Sequence, residues 1–126
     1  MEQLISVIIV NYNGIQYLEN CLNSLYTYLR DLSFEIIVVD NCSSDDSISF
    51  IKEKFPNVII IENQTNLGFG KANNIGVSFA KGETILLLNN DTILLNNLKS
   101  AVEVLYSKNN IGIVSINMLN KEQQYI

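Results

Sequence analysis

The sequence predicts an α/β fold in which a mostly parallel sheet lies between two layers of helices. Short apolar runs typical of buried strands alternate with stretches whose apolar residues recur at helical spacing. The runs are continuously apolar, as is typical of parallel strands covered on both faces. Strands separated by helices are the pattern of such sheets. We therefore expect a three-layer α/β/α arrangement.

Five strands and four helices are expected in alternation. The strands are predicted over residues 4–10, 34–40, 58–62, 83–89 and 111–116. Apolar stripes predict helices around residues 18–29, 48–55, 71–80 and 98–105. Because crossovers between parallel strands are right-handed, the first four strands should lie in the spatial order 3-2-1-4. The position of the fifth strand stays open.

Composition limits the classes of function. The 126 residues suffice for one domain, 1–126, and 48% of them are hydrophobic. A net charge of −5 disfavours binding to nucleic acid. The chain has no histidine, which removes histidine acid–base catalysis and most zinc sites. No secretory signal or membrane-length apolar stretch is visible, so a cytoplasmic location is expected.

Polar residues follow three of the predicted strands, where ligands of open parallel sheets bind. They are Asn11-Tyr12-Asn13, Asp40-Asn41 and Asn89-Asn90-Asp91. Turn formation is one explanation, because Asn and Asp favour turns. The other is a ligand: Asp40 could accept hydrogen bonds from a base or ribose. Asp91 could hold a hard cation, since Mg²⁺ uses one or two carboxylates together with substrate phosphates.

Three familiar phosphate-binding patterns do not fit. The first strand is followed by "NYNG", which lacks the glycine spacing of a dinucleotide-binding loop. Gly70-Lys71 is followed by Ala72, so a Walker A motif also fails. A phosphate-accepting receiver domain would need acidic residues after the first strand, where Asn11 stands.

Four segments, in order and spacing, resemble the N-terminal half of a family 2 glycosyltransferase with the GT-A fold. They are "SVIIVNYNG", "IIVVDNCSSDDS", "NLGFGKANNIG" and "LLLNNDT", and the similarity covers residues 6–117. The resemblance implies a Rossmann-like nucleotide-binding half, incomplete here. It also implies an inverting transfer from a UDP- or dTDP-sugar donor to a saccharide or lipid-linked acceptor. "VVDNxSxD" and "LLNxDT" are most similar to rhamnosyl- and galactofuranosyltransferase-type members, which act on cell-surface polysaccharides.

The resemblance also implies roles for matching positions. Asp40 would bind the base. Because Asp40 stands at a predicted strand end, outside the core, we expect Asp40→Ala to weaken nucleotide binding without unfolding the domain. Asp91, with or without Asn89, would face Mg²⁺ or Mn²⁺. Asp45 fits a helix cap. The other donor-site positions implied are Asn11, Tyr12, Asn41, Lys71, Asn74 and Asn90.

The sequence departs from the family pattern at several positions. Asn89 replaces the first acidic residue of the metal motif, and many members have Asp at the position of Asn41 and Arg at that of Asn73. The family's catalytic base lies in a C-terminal half, so no catalytic residue is expected here and the chain alone should be inactive. The alternative is a noncatalytic nucleotide- or partner-binding fragment. The full-length protein could associate peripherally with the inner face of the membrane.

Overall fold

The structure, a computed structural model, describes residues 3–126. The chain divides into two compact units, one ending at Asn96 and the other spanning Asn97–Ile126. The first unit contains a parallel sheet and three helices, and the second contains one helix. In the described part of the chain, no helix is both long and apolar enough to cross a membrane.

The first unit is built on a four-stranded parallel sheet. Its strands are β1 (Leu4–Asn11), β2 (Ser33–Asp40), β3 (Ile59–Glu62) and β4 (Thr84–Asn89). They lie in the order β3-β2-β1-β4, which confirms the predicted order. β1 and β2 are therefore the inner strands, and their apolar segments 7–9 and 36–39 are buried because both faces are covered.

Helices α1 (Ile15–Tyr28) and α2 (Ser47–Lys54) lie on one face of the sheet, and α3 (Phe69–Phe79) lies on the other. On the first face, the ring of Tyr26 in α1 contacts the ring of Phe34 in β2, with centroids 5.6 Å apart. On the second face, Ala72 of α3 packs in a fully buried cluster with Ile8, Ile37 and Val39. The observed layers are those expected from the sequence.

Strand register brings the polar strand ends to one edge of the sheet. Asn11 is paired with Asp40 across β1 and β2, and Val10 is paired with Asn89 across β1 and β4. Parallel strands place their carboxyl ends on the same side, so three polar segments far apart in sequence become neighbours. This edge is where open α/β sheets bind ligands.

The predicted fifth strand is wrong for the described structure. The second unit contains α4 (Lys99–Tyr106), but residues 111–116 form no strand there. A strand needs a neighbour to pair its backbone groups, and the structure records only an isolated antiparallel bridge in this unit, between Leu119 and Tyr125. Ile113 is 90% exposed, so the apolar run is not buried as its composition predicted.

Candidate functional site

An open cavity of about 430 Å³ lies at the carboxyl edge of the sheet. The residues that line it include Tyr12, Asn41, Phe69, Asn89, Asn90 and Asp91. Five of these six were predicted as donor-site or metal-site residues. They lie at or after the ends of β1, β2 and β4 and at the start of α3. Segments that are far apart in sequence therefore form one site.

Two aromatic side chains stand at the cavity. Tyr12 is 52% exposed, and Phe69 is also largely exposed. Exposed aromatic rings beside polar groups are suited to stacking on a flat ring while the polar groups bind its edge. Phe69 escaped the sequence analysis, although its place in "LGFG", between two glycines at the start of a helix, is an unusual setting for a large apolar residue.

Asn11 and Asp40 lie beneath the cavity and are buried. Asn11 Nδ2 donates to Asp40 Oδ1 at 2.9 Å. The same carboxylate oxygen accepts from Ser43 Oγ at 2.7 Å, and Asp40 Oδ2 accepts from the backbone N–H of Ser43 at 2.8 Å. Both carboxylate oxygens of Asp40 are therefore bonded within the chain.

The expectation that Asp40 stands outside the core is wrong, because its side chain is 1% exposed. A carboxylate at the end of an inner strand has strands on both sides, so it is covered unless the loops above it open. Asp40 holds the loop that follows β2, and contact between Asp40 and a ligand stays a prediction. Its removal would leave buried donors without an acceptor.

Asn41 lines the cavity and fixes the loop before α3. Its Nδ2 donates to the carbonyl oxygen of Gly68 at 3.2 Å. Its Oδ1 accepts from Asn63 Nδ2 at 3.0 Å and from the backbone N–H of Leu67 at 3.3 Å. Asn41 therefore supports the segment that carries Phe69 to the cavity, a role that sequence spacing alone did not reveal.

Asp45 joins the starts of two helices. Its Oδ2 accepts from the N–H of Ile15, the first residue of α1, and its Oδ1 accepts from the N–H of Ser47, the first residue of α2. Burial acts to raise the pKa of Asp45, but hydrogen bonds from the Ser47 side chain and these N–H groups outweigh it and lower the pKa. Asp45 therefore does bind helix-terminal N–H groups, although the N-cap position of α2 is Asp46.

Asp91 follows β4 and is exposed at the cavity. Its charge acts on Cys21 of α1. Burial is the larger cause and the Asp91 carboxylate the smaller one, and together they raise the pKa of the Cys21 thiol to about 12. Cys21 is thus a thiol at neutral pH, and it contacts the carbonyl oxygen of Asn89 at 3.7 Å. Cys21 is consequently not a nucleophile of this site.

The residues at the cavity fit a cation that arrives with phosphates. Across residues 3–126, no group of three or more His, Cys, Asp or Glu side chains could hold a metal alone. The cavity offers the Asp91 carboxylate beside the side-chain amides of Asn89 and Asn90. Carboxylate and amide oxygens are ligands of hard divalent cations, and Mg²⁺ commonly takes its other ligands from substrate phosphates and water.

The structure does not bring Lys71 or Asn74 to the cavity. Both are exposed on α3, whereas Ala72, Asn73 and Gly76 of the same helix are buried. Helical spacing explains the difference, because residues that follow each other by one or two positions point in different directions around the helix. A contact of Lys71 or Asn74 with a ligand stays a prediction.

The chain is similar in sequence to known glycosyltransferases. An uncharacterized glycosyltransferase of Nostoc sp. is 35% identical over 114 residues, which cover 87% of this chain and 35% of that protein. The poly(ribitol-phosphate) beta-glucosyltransferase of Bacillus spizizenii is 37% identical over 92 residues, covering 69% of this chain and 14% of that protein. The chain thus spans about a third or less of the length of these relatives.

The fold is shared with a solved glycosyltransferase structure. The Staphylococcus aureus TarS 1-349 structure in complex with UDP-GlcNAc superposes with a TM-score of 0.72 at 29% identity, covering 91% of this chain and 37% of that one. The family description "Glycosyl transferase family 2" matches residues 6–123, nearly the whole chain. On this evidence, the chain belongs to glycosyl transferase family 2.

Proposed function

We propose that this chain is the donor-binding part of an inverting glycosyltransferase that uses a nucleoside diphosphate sugar. The observation that carries the proposal is the cavity at the carboxyl edge of the sheet, with exposed aromatic rings, side-chain amides and one carboxylate around it. Stacking surfaces suit a base, amides suit sugar hydroxyls, and a carboxylate suits the cation that accompanies a diphosphate.

The donor is a UDP- or dTDP-sugar in this proposal. Support for uridine comes from TarS, whose structure has been solved with UDP and with UDP-GlcNAc. The sequence motifs are most similar to rhamnosyl- and galactofuranosyltransferase-type members and leave the sugar open, while the named relatives are a glucosyl- and an N-acetylglucosaminyltransferase. Titration with dTDP-rhamnose, UDP-glucose and UDP-GlcNAc separates these donors.

The acceptor is a saccharide or lipid-linked glycan of a cell-surface polysaccharide, and we place the reaction in the cytoplasm at the inner face of the membrane. Two relatives act, by their names, on poly(ribitol-phosphate), a polymer. The full-length protein would meet a lipid-linked acceptor by peripheral association with the membrane. Co-sedimentation of the full-length protein with vesicles that contain such an acceptor tests this placement.

The chain's own residues would bind and orient the donor. Asp91, with the amide oxygen of Asn89 or Asn90, would hold Mg²⁺ or Mn²⁺, which when bound supplies charge neutralisation for the leaving diphosphate. Tyr12 would stack on the base. Among the described residues 3–126, Asp91 is the one carboxylate that lines the cavity, and in this proposal it holds the cation, so we infer that the base that deprotonates the acceptor lies elsewhere in the full-length protein. The 126-residue chain should bind donor without transferring sugar.

Calorimetric titration of the chain with UDP and dTDP, each with Mn²⁺ and with EDTA, tests the proposal. The parent chain should bind at least one nucleotide more tightly with Mn²⁺. Asp91→Asn keeps the shape of the side chain but removes its charge, so the increase in affinity due to Mn²⁺ should disappear. Asp46→Asn is the matched control, because Asp46 is exposed and does not line the cavity.

Three results would oppose the proposal in different ways. If neither nucleotide binds under any condition, the donor-site assignment fails. If nucleotide binds equally well with Mn²⁺ and EDTA, the metal assignment fails and a noncatalytic nucleotide-binding fragment becomes the better interpretation. Sugar transfer by the 126-residue chain itself would contradict the view that its catalytic base lies elsewhere.

A further inference from the structure

A chain of side-chain hydrogen bonds, buried at Asn11 and Asp40, links the ends of three strands. Asn11, at the end of β1, is 0% exposed and donates from Nδ2 to Asp40 Oδ1 at the end of β2, at 2.9 Å. Asn11 Oδ1 accepts from Nδ2 of Asn90, the residue after β4, at 2.9 Å. The amide of Asn11 thus stands between the buried carboxylate and a residue of the cavity wall.

The direction of these hydrogen bonds follows from the carboxylate. An ionised carboxylate only accepts, so Asn11 must present its NH₂ group to Asp40. A second contact agrees: Asn11 Nδ2 lies 3.4 Å from Ser43 Oγ, whose own proton is given to Asp40 Oδ1. With its NH₂ group committed, Asn11 offers only its oxygen to the other side.

The same logic orients Asn90. Because Asn11 offers an oxygen, Asn90 must donate its NH₂ group inward, and Oδ1 is the atom left for the cavity. Within the described residues 3–126, no hydrogen-bond donor reaches that oxygen. An amide free to rotate could turn either its oxygen or its NH₂ group toward a ligand, whereas the hydrogen bond to Asn11 holds this amide with its NH₂ group inward and its oxygen outward.

Gly14 leaves the space that this arrangement needs. A Cβ atom at position 14 would lie 2.2 Å from Asn90 Nδ2 and 2.5 Å from Asn11 Oδ1. Any side chain there would push apart the two atoms that form the hydrogen bond. The glycine at the start of α1 therefore allows the hydrogen bond between Asn11 and Asn90 to form.

We propose that Asn11 is a positioning residue that fixes the Asn90 amide with its carbonyl oxygen toward the cation-bearing diphosphate of the donor. This inference rests on the proposed function and adds a residue that does not itself touch the ligand. A fixed oxygen favours a divalent cation and disfavours a bare phosphate, which would prefer the NH₂ group. We therefore expect loss of this role to weaken binding of the diphosphate with its cation and to leave binding of the base unchanged.

Asn11→Thr and Asn11→Val form the matched pair that tests this role. Their side chains have the same shape, but only the threonine hydroxyl can donate to Asp40 and accept from Asn90. In calorimetry with Mn²⁺–UDP, the Asn11→Val variant should bind about tenfold more weakly than the Asn11→Thr variant, because the Asn90 oxygen is no longer held toward the cation. Uridine, which has no phosphate, should bind both variants equally.

Asn90→Ala provides an independent test that leaves the hydrogen bonds between Asn11, Asp40 and Ser43 in place. It removes the oxygen itself, so Mn²⁺–UDP affinity should fall about tenfold, and adding Asn11→Val to it should cause no further loss. Parent-like Mn²⁺–UDP binding by Asn90→Ala overturns the inference. So does equal binding by the Thr and Val variants, or a parallel loss of uridine and Mn²⁺–UDP affinity in Asn11→Val, which would indicate a merely structural role.

A readout without ligand separates this inference from the proposed function. The side-chain NH₂ signals of Asn90 in ¹⁵N-labelled chain, identified by their absence in Asn90→Ala, should keep their shifts in Asn11→Thr and move in Asn11→Val. If the parent binds neither UDP nor uridine, the proposed function fails while these signals still decide whether Asn11 orients Asn90. Unchanged signals in Asn11→Val overturn the positioning role whatever the ligand.

Discussion

The polar residues at the ends of the inner strands and those after the edge strand β4 have the same chemistry but different surroundings. Asn11 and Asp40, which end β1 and β2, are buried and bonded to each other. Asn89 and Asp91, at and after the end of β4, are exposed at the cavity. An inner strand has a neighbour on each side, whereas an edge strand has one.

This difference divides the site into a buried support and an exposed rim. The support, defined here as Asn11, Asp40 and Ser43, has its hydrogen bonds satisfied within the chain. The rim, defined as Tyr12, Asn89 and Asp91, is exposed and available to a ligand. We therefore expect the support to control stability and the rim to control binding. Four substitutions test this division, and they follow in order from the largest to the smallest expected loss of stability.

Asp40→Ala should have the largest effect, because it removes the acceptor of three hydrogen bonds at a buried position. Leaving such donors unpaired should lower the free energy of unfolding by about 3 kcal/mol. Urea denaturation followed by circular dichroism measures the loss. Asp46→Ala is the control, since Asp46 is exposed and makes no side-chain capping bond. Equal urea midpoints for the two variants would contradict the buried support.

Gly14→Ala should have the next largest effect. The added Cβ atom would meet Asn90 Nδ2 at 2.2 Å and Asn11 Oδ1 at 2.5 Å, so side chains of the support and the cavity wall must both shift. We expect a loss of about 2 kcal/mol, as is usual when a packed site receives an extra carbon. Urea denaturation measures it. Gly70→Ala is the matched control, because its Cβ would meet no atom within 4 Å apart from its chain neighbours and the nearby backbone of its own helix.

Much of the fold could be predicted because its signals are local. The apolar runs and helical stripes placed the first four strands and all four helices within a few residues, and handedness gave the strand order. The fifth strand failed for a non-local reason. Residues 111–116 have a strand's composition, but a strand also requires a partner, and composition does not reveal whether one is present.

The candidate site was predictable at the level of segments and less so at the level of atoms. Strand ends were correctly expected to meet, and five cavity residues were named in advance. Whether Asp40 or Asn41 would reach the cavity could not be predicted, because adjacent residues differ only in the direction of their side chains. Phe69 was missed because its exposure depends on how Asn41 holds the preceding loop.

Asp45→Asn should have a smaller effect that depends on pH. The lowered pKa of Asp45 means that the ionised form stabilises the folded chain, so its contribution is present above the unfolded pKa of about 3.9 and is lost as pH falls through the folded value. The variant should be less stable than the parent at pH 7, and the difference should shrink below about pH 4. Urea midpoints from pH 7 to pH 3 measure this. A difference that stays constant would contradict the role of the charge.

Asp91→Asn should have the smallest effect on stability, although we expect it to abolish metal-dependent binding. The Asp91 carboxylate is exposed at the rim, so replacing it should change the free energy of unfolding by less than about 0.5 kcal/mol. Asp40→Asn is the same chemical change made in the support. It should lower that energy by about 2 kcal/mol, because an NH₂ group would then face a hydrogen-bond donor. Thermal and urea unfolding of the two variants side by side measure the contrast. If the two variants are equally stable, the division of the site into a buried support and an exposed rim is wrong. If Asp91→Asn is the less stable, Asp91 is part of the framework and its metal-facing role loses its main structural argument.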